Sequence, residues 1–243
     1  MTRYRLDLAY DGSGFHGYAR QPDLRTVQGV LEEALEQIIG PVTTETAGRT
    51  DAGVHARHQV ASFDGAQPID CGKLVRSLTR LLGPEVVVYR CQPVGPEFSA
   101  RFSATHRTYR YRIVNRPFPD PLRRSTAWHV KDPLDVDAMH EAVQHFVGEW
   151  DFASFCRKNE GRTTVRTVLA ASWCARPDDV LRFEVQGLAF CHQMVRSLTA
   201  FSVDVGLGKL EPSAAKSALD ARDRSVTSGV APPHGLVLWE VGY

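Results

Sequence analysis

Polar and apolar residues alternate from Tyr4 to Tyr10 (YRLDLAY), the period of a half-buried strand, and Asp11-Gly12-Ser13-Gly14 ends the run as a turn. After Thr26, a residue suited to cap a helix, Val27, Val30, Leu31, Ala34, Leu35 and Ile38 recur at helical spacing until Gly40-Pro41 stops the pattern. Short strands are predicted at 60–63 and 86–89, with a helix between them over 73–82. A second alternating strand, Thr108 to Asn115 (TYRYRIVN), leads into a proline-rich loop over 116–122, and part of the order then repeats. A helix is predicted over 135–147, strands near 167–174 and 180–190, helices over 192–205 and 213–221, and a last apolar strand over 236–241. These elements predict an α+β protein of two α/β halves built on mixed, mainly antiparallel strands, because regular βαβ alternation with long apolar strands is missing. A cleft between such halves is a common place for a ligand.

The length of 243 residues suffices for one large domain or two modest ones. No run of eighteen apolar residues occurs, and the opening MTRYRLDLAYDG passes directly into alternation instead of a signal-peptide core. A membrane span is excluded and a cytoplasmic protein is expected. Five cysteines, at 71, 91, 156, 174 and 191, form an odd set without C-x-x-C spacing, so reduced thiols are the simplest expectation.

Net charge is only +1, yet its distribution changes the picture. The segment from Ser99 to Lys131 contains Arg101, Arg107, Arg110, Arg112, Arg116, Arg123, Arg124 and Lys131 against Asp120 alone, a balance of +7, while the remainder carries −6. An anionic ligand would be drawn there. Arginine dominates, with five lysines among 29 basic residues, and its planar fork suits phosphate oxygens and base stacking.

The stretch with the clearest chemistry is Ala47-Gly48-Arg49-Thr50-Asp51-Ala52-Gly53-Val54-His55-Ala56, where one carboxylate lies between glycines and beside an arginine. Glycines permit a tight loop and the close approach of a ligand, and a neighbouring guanidinium keeps an enclosed aspartate ionised. Such a carboxylate can act as nucleophile or base. The same residues also fit an Asx turn in which Asp51 caps its own backbone and pairs with Arg49. The nine histidines show no H-E-x-x-H or comparable ligand spacing, and the glycine patterns form neither a P-loop nor a dinucleotide fingerprint. No metal and no organic cofactor are expected.

The chain resembles the tRNA pseudouridine synthase A family, whose signature G-R-T-D-A-G-V-H-A runs unbroken from Gly48 to Ala56. YDGSGFHGY at 10–18, TVQ at 26–28, ARFSAT at 100–105, Y-R-Y-R-I at 109–113, GEWDFASF at 148–155, HQMVRS at 192–197 and APPHGLVLWEVGY at 231–243 accompany it in order. The resemblance implies the pseudouridine synthase fold: an N-terminal half, 1–104, carrying the aspartate loop, a C-terminal half, 105–243, carrying the active-site tyrosine and arginine, and a central active-site cleft flanked by the two. It implies isomerisation of uridine to pseudouridine at positions 38, 39 and 40 of the tRNA anticodon arm, without cofactor, by a cytoplasmic homodimer. Asp51 is implied as the catalytic aspartate. Arg196 is implied as its ion-pair partner, Tyr109 as the residue that packs on the target base and helps remove the C5 proton, and Leu236 as an apolar wall; Arg49 joins the substrate-binding set.

The sequence departs from the family at Tyr18-Ala19, where Trp-Gln is usual, and at Ser77 to Gly83, including Thr79, where an asparagine-containing segment ends in Leu-Pro. Both departures bear on RNA docking. An inactive tRNA-binding protein or RNA chaperone of the same fold is the alternative function, and a hydrolase using Asp51 as general base lacks a second carboxylate or histidine nearby.

Overall fold

The computed structural model describes residues 1–157, 161, 163–227 and 229–243. The chain divides into two compact units, Met1–Thr105 with Val237–Tyr243, and His106–Leu236. The last seven residues thus pack with the first unit rather than with the residues that precede them. Thr105 N donates to Gly242 O at 2.9 Å, and the Tyr243 hydroxyl donates to Ala100 O at 2.6 Å.

In the first unit, β1 (Thr2–Tyr10) lies between β3 (His55–Gly65) and β4 (Val86–Val94), antiparallel to both. The two-residue β2 (Glu45–Thr46) also pairs with β3, and β10 (Leu236–Gly242) runs parallel to β3 through Val237 and Leu238. Alternation in the sequence becomes alternation of faces: Tyr4, Leu6, Leu8 and Tyr10 are buried, and Tyr4 stacks on Phe63 of β3. The apolar stripe of α1 (Val27–Ile39) is buried through Val27, Leu31, Ala34 and Leu35, and the Thr26 hydroxyl caps it by accepting from Gly29 N at 3.2 Å. Helix α2 (Cys71–Leu82) buries Leu74 and Leu78 and packs on β4 and α1.

The predicted departures from the family fall inside this unit. Tyr18 is fully buried beside Tyr10, in the core of this unit. Thr79 Oγ1 donates to Val88 O at 2.7 Å and ties α2 to β4.

In the second unit, the strand order is β5 (His106–Asn115), β9 (Val180–Gly187), β8 (Val165–Arg176), β7 (Gly148–Asp151), all antiparallel, with the short β6 (Trp128–Val130) parallel to β5. Strand pairing within each unit is therefore mixed and mainly antiparallel, as the pattern predicts. Helix α3 (Val136–Gln144) packs on β8 and on α4 (Met194–Gly206), and α5 (Ala214–Ala221) follows. Helix α4 is buried on most of its surface, and Phe201 joins Phe146, Phe152 and Phe155 in a ring cluster with centroids 5.0 to 6.3 Å apart. That cluster fastens the GEWDFASF segment to the helix that carries Arg196.

The fold brings two of the cysteines together: Cys156 and Cys191 have Cα atoms 5.8 Å apart, within the span a disulfide bridges. They are 35 residues apart, so no local spacing marked them; the fold brings the turn after Phe155 against the loop before α4, where Arg157 N also donates to His192 O at 3.0 Å. Cys71, Cys91 and Cys174 are free thiols.

Candidate active site

The loop from Ala47 to Val54 is moulded by three sequence segments, all in the first unit. Ala47 N donates to Val60 O at 2.9 Å, and the Gln59 amide donates to Gly48 O at 2.7 Å and to the Tyr10 hydroxyl at 3.3 Å. The Tyr10 hydroxyl lies 2.8 Å from Thr50 Oγ1, and Tyr18 N donates to Thr50 O at 3.0 Å. Burial pushes the Tyr10 phenol up to about 12, against the pull of its hydrogen bonds from Thr50 and Gln59. It stays a neutral hydrogen-bonding group.

Asp51 itself begins a turn closed by Val54 N, which donates to Asp51 O at 3.2 Å, while Gly53 N donates to Phe15 O at 3.3 Å. Gly53 holds φ +76°, a conformation that side chains disfavour, so the glycine of the motif is a backbone requirement of the turn. The result is a half-exposed carboxylate on a backbone fixed from both sides. Arg49 is exposed.

The other expected site residues lie in the second unit. Tyr109, on β5, is buried with its ring edge-on to Phe190 at 5.2 Å. Tyr111 shares its face, donates to Pro232 O at 2.7 Å and stands edge-on to Trp128. Burial drives the Tyr111 phenol far up, and the positive charge of Arg196 pulls it part-way back, which shows the guanidinium within electrostatic reach of that hydroxyl. Arg196 is half-buried in the first turn of α4. Its Nε donates to Ala231 O at 2.7 Å and its own carbonyl accepts from Ala231 N at 3.1 Å. A two-way bond to one residue fixes both the helix start and the plane of the guanidinium. Leu236, buried, follows the 3₁₀ turn Pro233–Gly235.

Two contributors escaped sequence reasoning. Phe190 and Ala231 sit inside or beside quoted motifs, yet an apolar ring and a backbone carbonyl carry no chemical signature of their own.

Similarity to known proteins decides what this loop belongs to. The family model described as tRNA pseudouridine synthase matches residues 8–103 and 142–243. The chain belongs to the tRNA pseudouridine synthase family. It is 46% identical to tRNA pseudouridine synthase A of Leifsonia xyli, covering all of this chain and 92% of that protein. It is 42% identical to tRNA pseudouridine synthase A of Brevibacillus brevis, with complete coverage of both, and 39% identical to that of Thermosipho melanesiensis, covering 99% of each. The similarity is spread over both units, so the family assignment does not depend on the aspartate motif alone. Pseudouridine synthases are isomerases, and this chain is read as one.

The basic segment needs a correction in this light. Arg107 is buried and donates to Leu188 O at 2.7 Å; Arg110 pairs with Glu184; Arg116 and Arg123 share Asp120, and Arg123 also reaches Asp178 at 2.9 Å. Part of the +7 is therefore met inside the fold, by Glu184 and Asp178. Arg112 is pushed below the usual arginine range by burial and by its neighbours Arg110, Arg123 and Arg182, while Arg124 is exposed. Among the described residues no helix is long and apolar enough to cross a membrane.

The two tyrosines should separate by experiment. Tyr111→Phe deletes a buried hydrogen bond and is expected to cost about 1 kcal/mol of stability while leaving turnover within about twofold. Tyr109→Phe is expected to slow turnover by roughly 10²-fold, the scale of one lost proton-transfer group, with little change in melting temperature. Equal, small effects on turnover would reduce Tyr109 to a stacking platform.

Proposed function

We propose that this chain converts uridine to pseudouridine at positions 38, 39 and 40 in the anticodon arm of tRNA, as a cytoplasmic homodimer that needs no cofactor. The observation that carries the reading is the unbroken motif from Gly48 to Ala56, folded as a hydrogen-bonded turn that presents Asp51.

The reaction breaks the N1–C1′ bond, turns the base and joins C5 to C1′; the proton at C5 leaves and N1 gains one. Asp51 is the reacting carboxylate, whether it adds to C1′, adds to C6 or drives a glycal route. Each route needs an ionised carboxylate away from bulk water, where its charge acts strongly on the transition state. The resemblance assigns Arg196 to pair with that carboxylate, Tyr109 to pack on the base and help remove the C5 proton, Leu236 to line the pocket, and Arg49 to bind substrate. An aromatic ring suits a base taken out of its stack. Retention of Asp51, Tyr109 and Arg196 together speaks against a protein that only binds tRNA.

Unmodified tRNA transcripts treated with the protein, then with carbodiimide, should give reverse-transcription stops at 38, 39 and 40; stops elsewhere would overturn the anticodon-arm assignment. Sedimentation tests the dimer, which a fully active monomer would contradict. Affinity should fall with salt because phosphate contacts release counterions. Arg124→Ala should lower the slope of log K against log salt by about one unit. An unchanged slope would place Arg124 off the RNA.

A further inference from the structure

The turn that carries Asp51 ends at Val54, and the next residue, His55, opens β3 with its side chain buried. Its Nδ1 lies 3.1 Å from Gly12 N and 3.0 Å from Asp11 Oδ1. One ring nitrogen cannot serve both neighbours: the amide needs a lone pair there, and the carboxylate needs a proton.

The surroundings decide between them. Asp11 accepts from Ser13 N at 2.9 Å, and its side chain is 57% exposed, so water and the turn satisfy it. Gly12 is buried, and among the described residues Nδ1 is the acceptor of its amide. A buried N–H without an acceptor is the costlier loss, so Nδ1 accepts from Gly12 and the ring carries its proton on Nε2.

This bond presses two loops together. A Cβ at Gly12 would stand 2.0 Å from Val54 O, so the backbone of the 11–14 turn lies directly on the end of the Asp51 turn. Val54 N is in turn the donor to Asp51 O. Slack at Nδ1 would move Gly12, then Val54, then the residue that reacts.

We propose that His55 is a positioning residue for the reaction: by accepting the Gly12 amide it clamps the Asp11–Gly14 turn onto Val54 and holds the backbone of Asp51 in place. The inference rests on the reading that Asp51 is the reacting carboxylate.

The test compares His55→Asn and His55→Gln with the parent, and carries Asp51→Asn alongside. Asparagine sets its oxygen where Nδ1 stands and can still accept from Gly12; glutamine reaches one bond further and cannot. His55→Asn should keep kcat within about threefold, and His55→Gln should lose roughly 30-fold in kcat at unchanged KM for tRNA. Backbone hydrogen exchange over 47–54 should quicken in the glutamine variant alone. Parental kcat in His55→Gln, equal losses in both variants, or a loss confined to KM would overturn the clamp. If the parent shows no turnover, or Asp51→Asn matches it, the reading of Asp51 fails, and hydrogen exchange still decides whether Nδ1 holds the loop.

Discussion

Asp51→Asn is expected to lower turnover by roughly 10⁴-fold or more, the scale of removing a group that itself reacts, while tRNA affinity stays within about twofold. The substitution is nearly isosteric. Hydrogen bonds of the loop backbone with Val60, Tyr18 and Phe15, together with those of Tyr10 with Thr50 and of Gln59 with Gly48, shape the turn and do not involve the substituted atom. On the proposed reading, binding rests on exposed arginines such as Arg124, which the substitution does not touch. Asp51→Ala should behave alike. Loss of affinity in parallel with activity, measured by filter binding at fixed salt, would show that the aspartate holds RNA and does not react with it.

Arg196 carries the second large effect. Its Nε donates to Ala231 O, which fixes the guanidinium plane. Lysine keeps the charge and loses both that anchor and the bidentate fork, so Arg196→Lys should turn over about 10²-fold more slowly. Arg196→Met removes the charge as well and should cost about 10³-fold. The two variants also separate in their pH dependence. On the proposed pairing with Asp51, losing the positive charge favours the neutral carboxyl, so the acid limb of the pH–rate profile moves to higher pH in the methionine variant and much less in the lysine variant. Parental turnover in both, or an unmoved limb in Arg196→Met, would make Arg196 an ordinary member of α4.

Much of this architecture was legible in the chain because its elements obey simple periods. The alternation of YRLDLAY and TYRYRIVN became β1 and β5, and Thr26 caps α1 through its hydroxyl. Short pieces were not legible. β6 and β7 have three and four residues, too few for a period, and exist because β5 and β8 offer them free edges. β3 begins five residues before the apolar run at Val60 because the motif passes straight into the strand.

Asp51, Tyr109 and Arg196 were readable through the resemblance, and the loop around Asp51 through its glycines. Their supports were not. The Gln59 amide, the Ala231 carbonyl and the Cys156–Cys191 pair act through tertiary contacts that no local spacing encodes. The arginine cluster was legible as charge, but a count along 99–131 leaves out Glu184 and Asp178, which pair with Arg110 and Arg123 in the fold.

The central claim is that the protein exchanges the N1–C1′ bond of a tRNA uridine for a C5–C1′ bond, and this necessarily expels the hydrogen on C5. Tritium release from tRNA labelled as [5-³H]uridine reads that event directly. The parent protein should release label into water in step with pseudouridine formed, without added metal or cofactor, and Asp51→Asn should release none above background. Tight binding of the labelled tRNA with no release by the parent protein would contradict the account and leave a protein that binds tRNA without isomerising it.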